Sequence, residues 1–255
     1  MLDALYIAAT GMQSQQTQVD AIANNLANVG TPGFKKTRVV FSDLVAGATV
    51  QPAVDAPTSG AGAGVRIAST ARIFDAGDIK KTGAPLDVAI AGEGFFELAM
   101  PDGTRAYARG GPLKVNAEGL LSNAQGIPLK PGIVVPENAQ DLVIDVTGRV
   151  QVQLPGQSFP QDIGQLDVVR FNNPQGLLPQ GANVYRASEA SGDPIGGRAG
   201  EDGTGTVAQG FLEASNVTLL DEVVGLMLAQ RAYEASVKVV QASDEMLGMV
   251  NGLRK

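Results

Sequence analysis

The sequence predicts an α+β protein that is mainly β, with a discontinuous β body flanked by paired N- and C-terminal α-helices of coiled-coil-like spacing. Three observations predict it. All fourteen prolines lie between Pro32 and Pro194, and 27 of the 32 glycines lie between Gly33 and Gly210. Proline removes a helical hydrogen bond and glycine weakens helices entropically, so the segments that exclude them are the helical ones. Both ends carry apolar residues at heptad spacing, and the interior carries short alternating runs between turn residues.

At the N-terminus Leu5, Met12, Val19 and Leu26 recur every seven residues, with Ala8, Gln15, Ile22 and Val29 three positions later. The helix is expected to stop at Gly30, with Pro32 and Gly33 beyond it. At the C-terminus Leu219, Leu226, Tyr233, Val240 and Leu247 form one row. Val223, Gln230, Val237 and Asp244 form a second, half-polar row. Thr218 is placed to cap this helix with Asp221 as its box partner, and Arg254 and Lys255 favour its C-terminal end. At ~1.5 Å per residue the helix is roughly 50 Å long.

Between the ends, strands are expected at Leu86–Ile90, Gly94–Met100, Leu142–Val146, Val150–Leu154 and Leu166–Phe171. Pro101-Asp102-Gly103-Thr104 is a hairpin turn between Phe95–Leu98 and Arg105–Tyr107. Phe95 and Phe96 point to opposite faces of their strand, one into the core and the other into core or interface. The stretches Thr49–Gly64 and Ser188–Thr206, rich in small and turn residues, are expected to be extended arms with little core of their own.

Composition excludes many functions. A net charge of −7 argues against nucleic acid and against an anionic membrane surface. The absence of cysteine and histidine removes thiolate and imidazole ligands, thiol nucleophiles and every His-dependent triad. No apolar run approaches the ~20 residues of a membrane span. The N-terminus makes a poor secretory signal, with Asp3 where a basic residue belongs, so the protein is expected in the cytosol or exported without a cleaved signal.

No catalytic, cofactor-binding or metal-binding residue is expected. Gly60-Ala61-Gly62-Ala63-Gly64 is not a dinucleotide fingerprint and no P-loop occurs. Gly200-Glu201-Asp202-Gly203-Thr204-Gly205 lacks calcium-loop spacing and reads as a solvated turn. Carboxylate pairs such as Asp75 and Asp78 exist, but nothing selects one for hydrolysis.

Two long helices packed only on each other gain little against the entropy of ordering them. One reading is that they fold fully when neighbouring subunits add apolar surface. The contact residues would then be Leu5, Met12, Val19, Ile22, Leu26, Val223, Leu226, Gln230, Tyr233, Val237, Val240 and Leu247. Asn24, Asn25 and Asn28 would either cap the helix end or fix the register of one subunit on the next. The other reading packs both helices on the β body. A carboxylate-dependent hydrolase and a module whose end helices capture a partner helix are the remaining function classes.

Longer motifs favour assembly. Ala23-Asn24-Asn25-Leu26-Ala27-Asn28-Val29-Gly30-Thr31-Pro32-Gly33-Phe34-Lys35 resembles the N-terminal signature of the bacterial flagellar rod and hook proteins, and Ile7–Met12 and Gln15-Gln16 extend the match. Gly210-Phe211-Leu212-Glu213-Ala214-Ser215-Asn216-Val217 and Gln230-Arg231-Ala232-Tyr233-Glu234-Ala235-Ser236 resemble two further signatures. Val88–Phe96, followed by Tyr107-Ala108-Arg109-Gly110-Gly111, resembles an internal one. Within this family of basal-body rod proteins the sequence is most similar to the distal rod branch, notably at Arg38–Leu44, with the proximal rod as the alternative. The match after Leu44 is loose.

The resemblance implies a homo-oligomeric helical tube, a hollow drive shaft that carries motor torque to the hook. Residues 1–30 with 217–255 would form the inner tube. Residues 86–185 would form a β-rich outer domain, and 31–85 with 186–216 an extended connecting region. It implies as partners the other rod proteins, the hook protein, the surrounding P- and L-ring proteins and the flagellar type III export apparatus. It implies a basal-body location from the periplasm to the outer membrane.

Overall fold

A computed structural model describes residues 2–45, 62–157 and 159–252. It has one long helix at each end, α1 (Leu2–Ala27) and α2 (Leu219–Gly252), and strands between them. The chain divides into two units. The first holds residues 1–27, 37–72 and 217–255, and the second holds 28–36 and 73–216.

In the first unit α1 packs along α2 and along an antiparallel hairpin of β1 (Thr37–Val45) and β2 (Gly62–Arg72). The TRVVF run explains β1: branched and aromatic side chains suit a pleated, half-buried surface. Its register slips between Val40 and Phe41, leaving Val39 buried and Val40 and Phe41 both exposed. A bulge of this kind breaks the alternation that would hide every second residue. Of the expected arm, residues 49–61 lie outside the described residues, and Gly62–Gly64 open β2.

The second unit is built on a six-stranded antiparallel sheet. Its order is Leu178–Gly181, Val184–Arg186, Arg105–Ala108, Phe95–Ala99, Asp167–Arg170, Ile195–Arg198. A three-stranded sheet joins Thr206–Gln209, Asp87–Ala91 and Gly110–Pro112, and another joins Asp141–Ile144, Arg149–Gln153 and Gln161–Gln165.

Both faces of the large sheet are covered, because alternate side chains feed two different clusters. Phe96, Leu98, Ala106, Ala108, Val168 and Val184 enter the main core with Val88, Ile90, Leu121, Leu129 and Val150. Phe95, Tyr107, Val169 and Tyr185 enter an aromatic cluster with Phe171 and Leu177. Phe95 and Phe96 therefore both lie in core, on opposite faces.

The expected strands all appear within a residue or two, and Pro101–Thr104 turns the hairpin with Gly103 at φ +80° and the Asp102 carboxylate accepting from the Thr104 amide at 2.9 Å. Two expectations fail. Helix α1 ends at Ala27, three residues before Gly30. The segment Ser188–Thr206 is no arm: Ile195–Arg198 pairs with Asp167–Arg170 as the sheet edge, and Ser191, Ala199 and Thr204 are buried. Two adjacent glycines, Gly196 and Gly197, hid this strand, since they carry no side chain to show alternation. Among the described residues no helix is long and apolar enough to cross a membrane.

Candidate assembly surface

Helix α2 starts where the sequence places it. The Thr218 carbonyl accepts the Glu222 amide at 3.1 Å, but the Thr218 hydroxyl makes no hydrogen bond among the described residues, so the capping box does not close. Asp221 and Glu222 in the first turn complement the positive end of the helix dipole.

The side of α2 that faces inward differs from the expected seam by one residue. Leu226, Val240 and Leu247 of the first row are half-buried, while Leu219 and Tyr233 are exposed. In the second row Val223, Gln230 and Asp244 are exposed and only Val237 is half-buried. The row that is covered lies one position earlier: Glu222, Ala229, Ser236 and Ser243, flanked by Gly225 and Ala232.

Small residues decide this. A Cβ on Gly11 would already touch Ser236 Oγ at 3.5 Å, and one on Gly225 would touch Ile22 Cδ1 at 3.4 Å. Side chains this short let α1 and α2 approach closely. The hydroxyls of Ser236 and Ser243 bond back to the carbonyls of Ala232 and Val239, which satisfies them inside the contact. The heptad reading weighted large apolar residues; Gly, Ala and Ser at spacings of three and four were the signal it missed.

On α1, Leu5, Met12, Val19 and Leu26 are half-buried and Ile22 is buried, so this row does face into the unit. Val19 meets Gln230 and Tyr233 around a groove of about 610 Å3 that is completed by Gln16 and Glu234. Asn24 is exposed, and Asn28 lies in the turn after α1, its Oδ1 accepting from the Thr31 hydroxyl at 3.2 Å.

Asn25 is buried and works within the chain. Its Nδ2 donates to the Thr37 carbonyl at 2.9 Å and to Glu222 Oε2 at 3.1 Å, and its Oδ1 accepts the Thr37 amide at 2.8 Å. The amide thus pairs with the first residue of β1 as a neighbouring strand would, and ties α1, β1 and α2 together. Asn25→Ala is expected to destabilise the first unit by roughly 2–3 kcal/mol, from three bonds of which one reaches a carboxylate. Urea unfolding followed by helical circular dichroism measures it, and hydrogen exchange at Thr37 should quicken.

What α2 leaves uncovered is the candidate surface. Outside its inward row lie Leu220, Val224, Met227 and Leu228, then Val239, Met246 and Met249, all exposed. Leu228, Ala235, Ala242 and Met249 recur every seven residues along this stripe. A helix that keeps this many large apolar side chains outside its contact with α1 is expected to bury them against a further partner.

The second unit holds a separate feature that connects the sequence motifs. Lys35, Arg109 and Glu213 are all buried, at 0%, 4% and 3% exposure. Lys35 Nζ donates to Glu213 Oε1 at 2.7 Å and to the Asp75 carbonyl at 2.6 Å. Arg109 holds both carboxylate oxygens, Nε to Oε2 at 3.0 Å and Nη2 to Oε1 at 3.1 Å, and donates from Nη1 to the Gly94 carbonyl. The Gly77 amide adds a third donor to Glu213 Oε1, the fourth hydrogen bond to the carboxylate.

Burial pushes the Glu213 carboxyl up, but the hydrogen bonds and charge of Arg109, with Lys35 behind them, outweigh it and hold it below the usual carboxylate range. Burial pulls the Lys35 amine down, and Glu213 only partly offsets it. Nearby, the Asn216 side chain accepts from the Lys36 amide and donates to the carbonyls of Ile73 and Asp75. Lys35, Arg109 and Glu213 each belong to a different one of the signature motifs, so three separate motifs meet in one ionic cluster.

The same motifs are matched by family models. Residues 5–35 match the flagella basal body rod protein model, 89–152 the flagellar hook protein FlgE/F/G D1 domain, and 208–253 the flagellar basal body rod FlgEFG protein C-terminal region. Over its whole length the chain is 41% identical to the flagellar basal-body rod protein FlgG of Borreliella burgdorferi, covering all of both chains. It is 38% identical to FlgG of Caulobacter vibrioides, over 99% of this chain and all of the relative, and 36% identical to that of Bacillus subtilis over all of both. The chain belongs to the flagellar basal-body rod protein family.

Flagellar basal-body rod proteins are structural. Membership assigns the chain to the flagellar basal body as a rod subunit that assembles with other flagellar proteins. The Lys35–Arg109–Glu213 cluster then has a mechanical reading: it fixes distant stretches of the second unit to one another in a protein that bears load.

Proposed function

We propose that the chain is the subunit of the distal rod and polymerises helically into a hollow tube that transmits torque to the hook. The observation that carries this is the uncovered apolar stripe of α2, Leu220 to Met249, which a monomer has no means to bury. The paired terminal helices line the tube, and Leu5, Met12, Val19, Asn24, Asn28, Val223, Gln230, Tyr233, Val237 and their neighbours contribute to contacts between or within subunits there. Other rod proteins and the hook protein meet the tube at its ends, and the P- and L-ring proteins surround it between periplasm and outer membrane. Delivery is through the flagellar type III apparatus. That route suits a chain with no cysteine to form a disulfide before export. The protein acts mechanically and catalyses nothing.

Electron microscopy of the concentrated chain, beside a variant lacking residues 1–30, tests the reading. Tubes from the full chain and none from the shortened one are expected. Dispersed particles from both would count against polymerisation through the helical ends.

A further inference from the structure

The aromatic cluster of the second unit is open on one side. Phe74 stands edge-to-face with Phe95 at 5.4 Å and with Tyr185 at 5.0 Å; Phe171 stands edge-to-face with Phe95 at 5.8 Å and with Tyr107 at 4.8 Å. Phe74, Phe95 and Phe171 line a cleft of about 560 Å3 together with Arg109, Arg170, Asn172 and Gln175. Arg109 is occupied, by Glu213 and by the Phe95 face at 5.7 Å. Arg170 is not: its Nε is buried and has no hydrogen-bond partner among the described residues.

Elsewhere in the same unit a complementary group projects. The hairpin that joins Arg149–Gln153 to Gln161–Gln165 carries Phe159, which at 81% exposure is the most exposed large apolar side chain among the described residues. The hairpin is held from below by the Val152–Gln161 pairing and by the Gln157 amide on the Leu154 carbonyl at 3.2 Å. Pro160 follows directly, with its backbone restricted.

Resting on the rod-subunit reading, we infer that Phe159 of one subunit inserts into the Phe74–Phe95–Phe171 cleft of a second copy of this chain. The ring adds a sixth member to the edge-to-face set. Its negative face meets the Arg170 guanidinium, whose Nε has no hydrogen-bond partner among the described residues, so the two attract electrostatically. Knob and cleft lie on different surface patches, so the contact is heterologous. Such contacts build a ring or an open helix instead of an isologous dimer, and the open helix is the symmetry a rod needs. The contact involves residues of the second unit alone, whereas the α2 stripe belongs to the first.

The absence of cysteine makes the test direct. One chain carries Gln157→Cys beside the knob, another carries Gln175→Cys in the cleft lining, and the two are mixed, concentrated and oxidised. Disulfide-linked heterodimers are expected at least ~10-fold above either chain alone, and Phe159→Ala added to the first chain should remove the excess. A pair with cysteines at Gln157 and Glu118, an exposed residue of the same unit that does not line the cleft, controls for random collision. Heterodimer no greater than that control overturns the inference whether or not tubes form. Missing tubes from the unsubstituted chain would instead count against the rod-subunit reading. Tubes without the link would refute the inference and leave the rod-subunit reading standing.

Discussion

Glu213→Gln is expected to destabilise the second unit by about 3–5 kcal/mol, because it leaves the cations of Lys35 and Arg109 buried without their anion. The substitution preserves shape, so lost charge and not lost volume carries the effect. For a unit of this size the loss lowers the melting temperature by on the order of 10 °C. Calorimetry measures it. Adding Lys35→Met to Glu213→Gln should restore part of the stability, since it removes one of the two stranded charges; a double-mutant cycle gives the coupling.

The cluster also sets the direction of a pH effect. The folded-state carboxyl of Glu213 lies below its ordinary value of 4.5. Its contribution is therefore fully present above that value and is lost as pH falls through the lower folded value. The parent chain should lose stability steeply below about pH 4.5, and Glu213→Gln should flatten that limb. An unchanged acid limb in the variant would show that other carboxylates govern acid unfolding.

Leu228→Glu is expected to abolish polymerisation and leave the monomer intact. Leu228 is 66% exposed, so the fold loses nothing it had buried, and surface changes of this kind stay within about 0.5 kcal/mol. In the tube the same position would bury an unpaired carboxylate against the apolar stripe, which costs several kcal/mol per contact and repeats at every subunit. A critical concentration raised at least ~100-fold is expected by sedimentation, with circular dichroism and melting unchanged. Tubes formed as readily as by the parent would show that the outward stripe of α2 is not the assembly surface.

The physical reading of the sequence went furthest where the signal is local. Exclusion of proline and glycine located both helices, and alternation with turn residues located six strands of the β body to within a residue or two, while strands such as Val184–Arg186 and Thr206–Gln209 went unread. It failed where covering partners decide. The heptad count chose Val223 and Gln230 for the seam of α2, and close approach to α1 chose Ala229 and Ser236 instead. Gly196 and Gly197 concealed a sheet edge because an edge strand is defined by its neighbour's hydrogen bonds. Asn25 read as a cap or a register residue, and the placement of Thr37 and Glu222 around it makes it an internal strut.

The ionic cluster shows the same division at longer range. Lys35, Arg109 and Glu213 stand in motifs that the sequence displays openly, yet no spacing along the chain relates positions so far apart. The sequence by itself determined the helical ends, the β interior, the absence of thiol and imidazole chemistry and the family. Only the tertiary structure decided which faces of the helices are covered, that three motifs share one buried charge cluster, and that an aromatic cleft and an exposed phenylalanine belong to the same unit. Periodicity and composition are properties of neighbours in sequence, whereas burial and ion pairing are properties of neighbours in space.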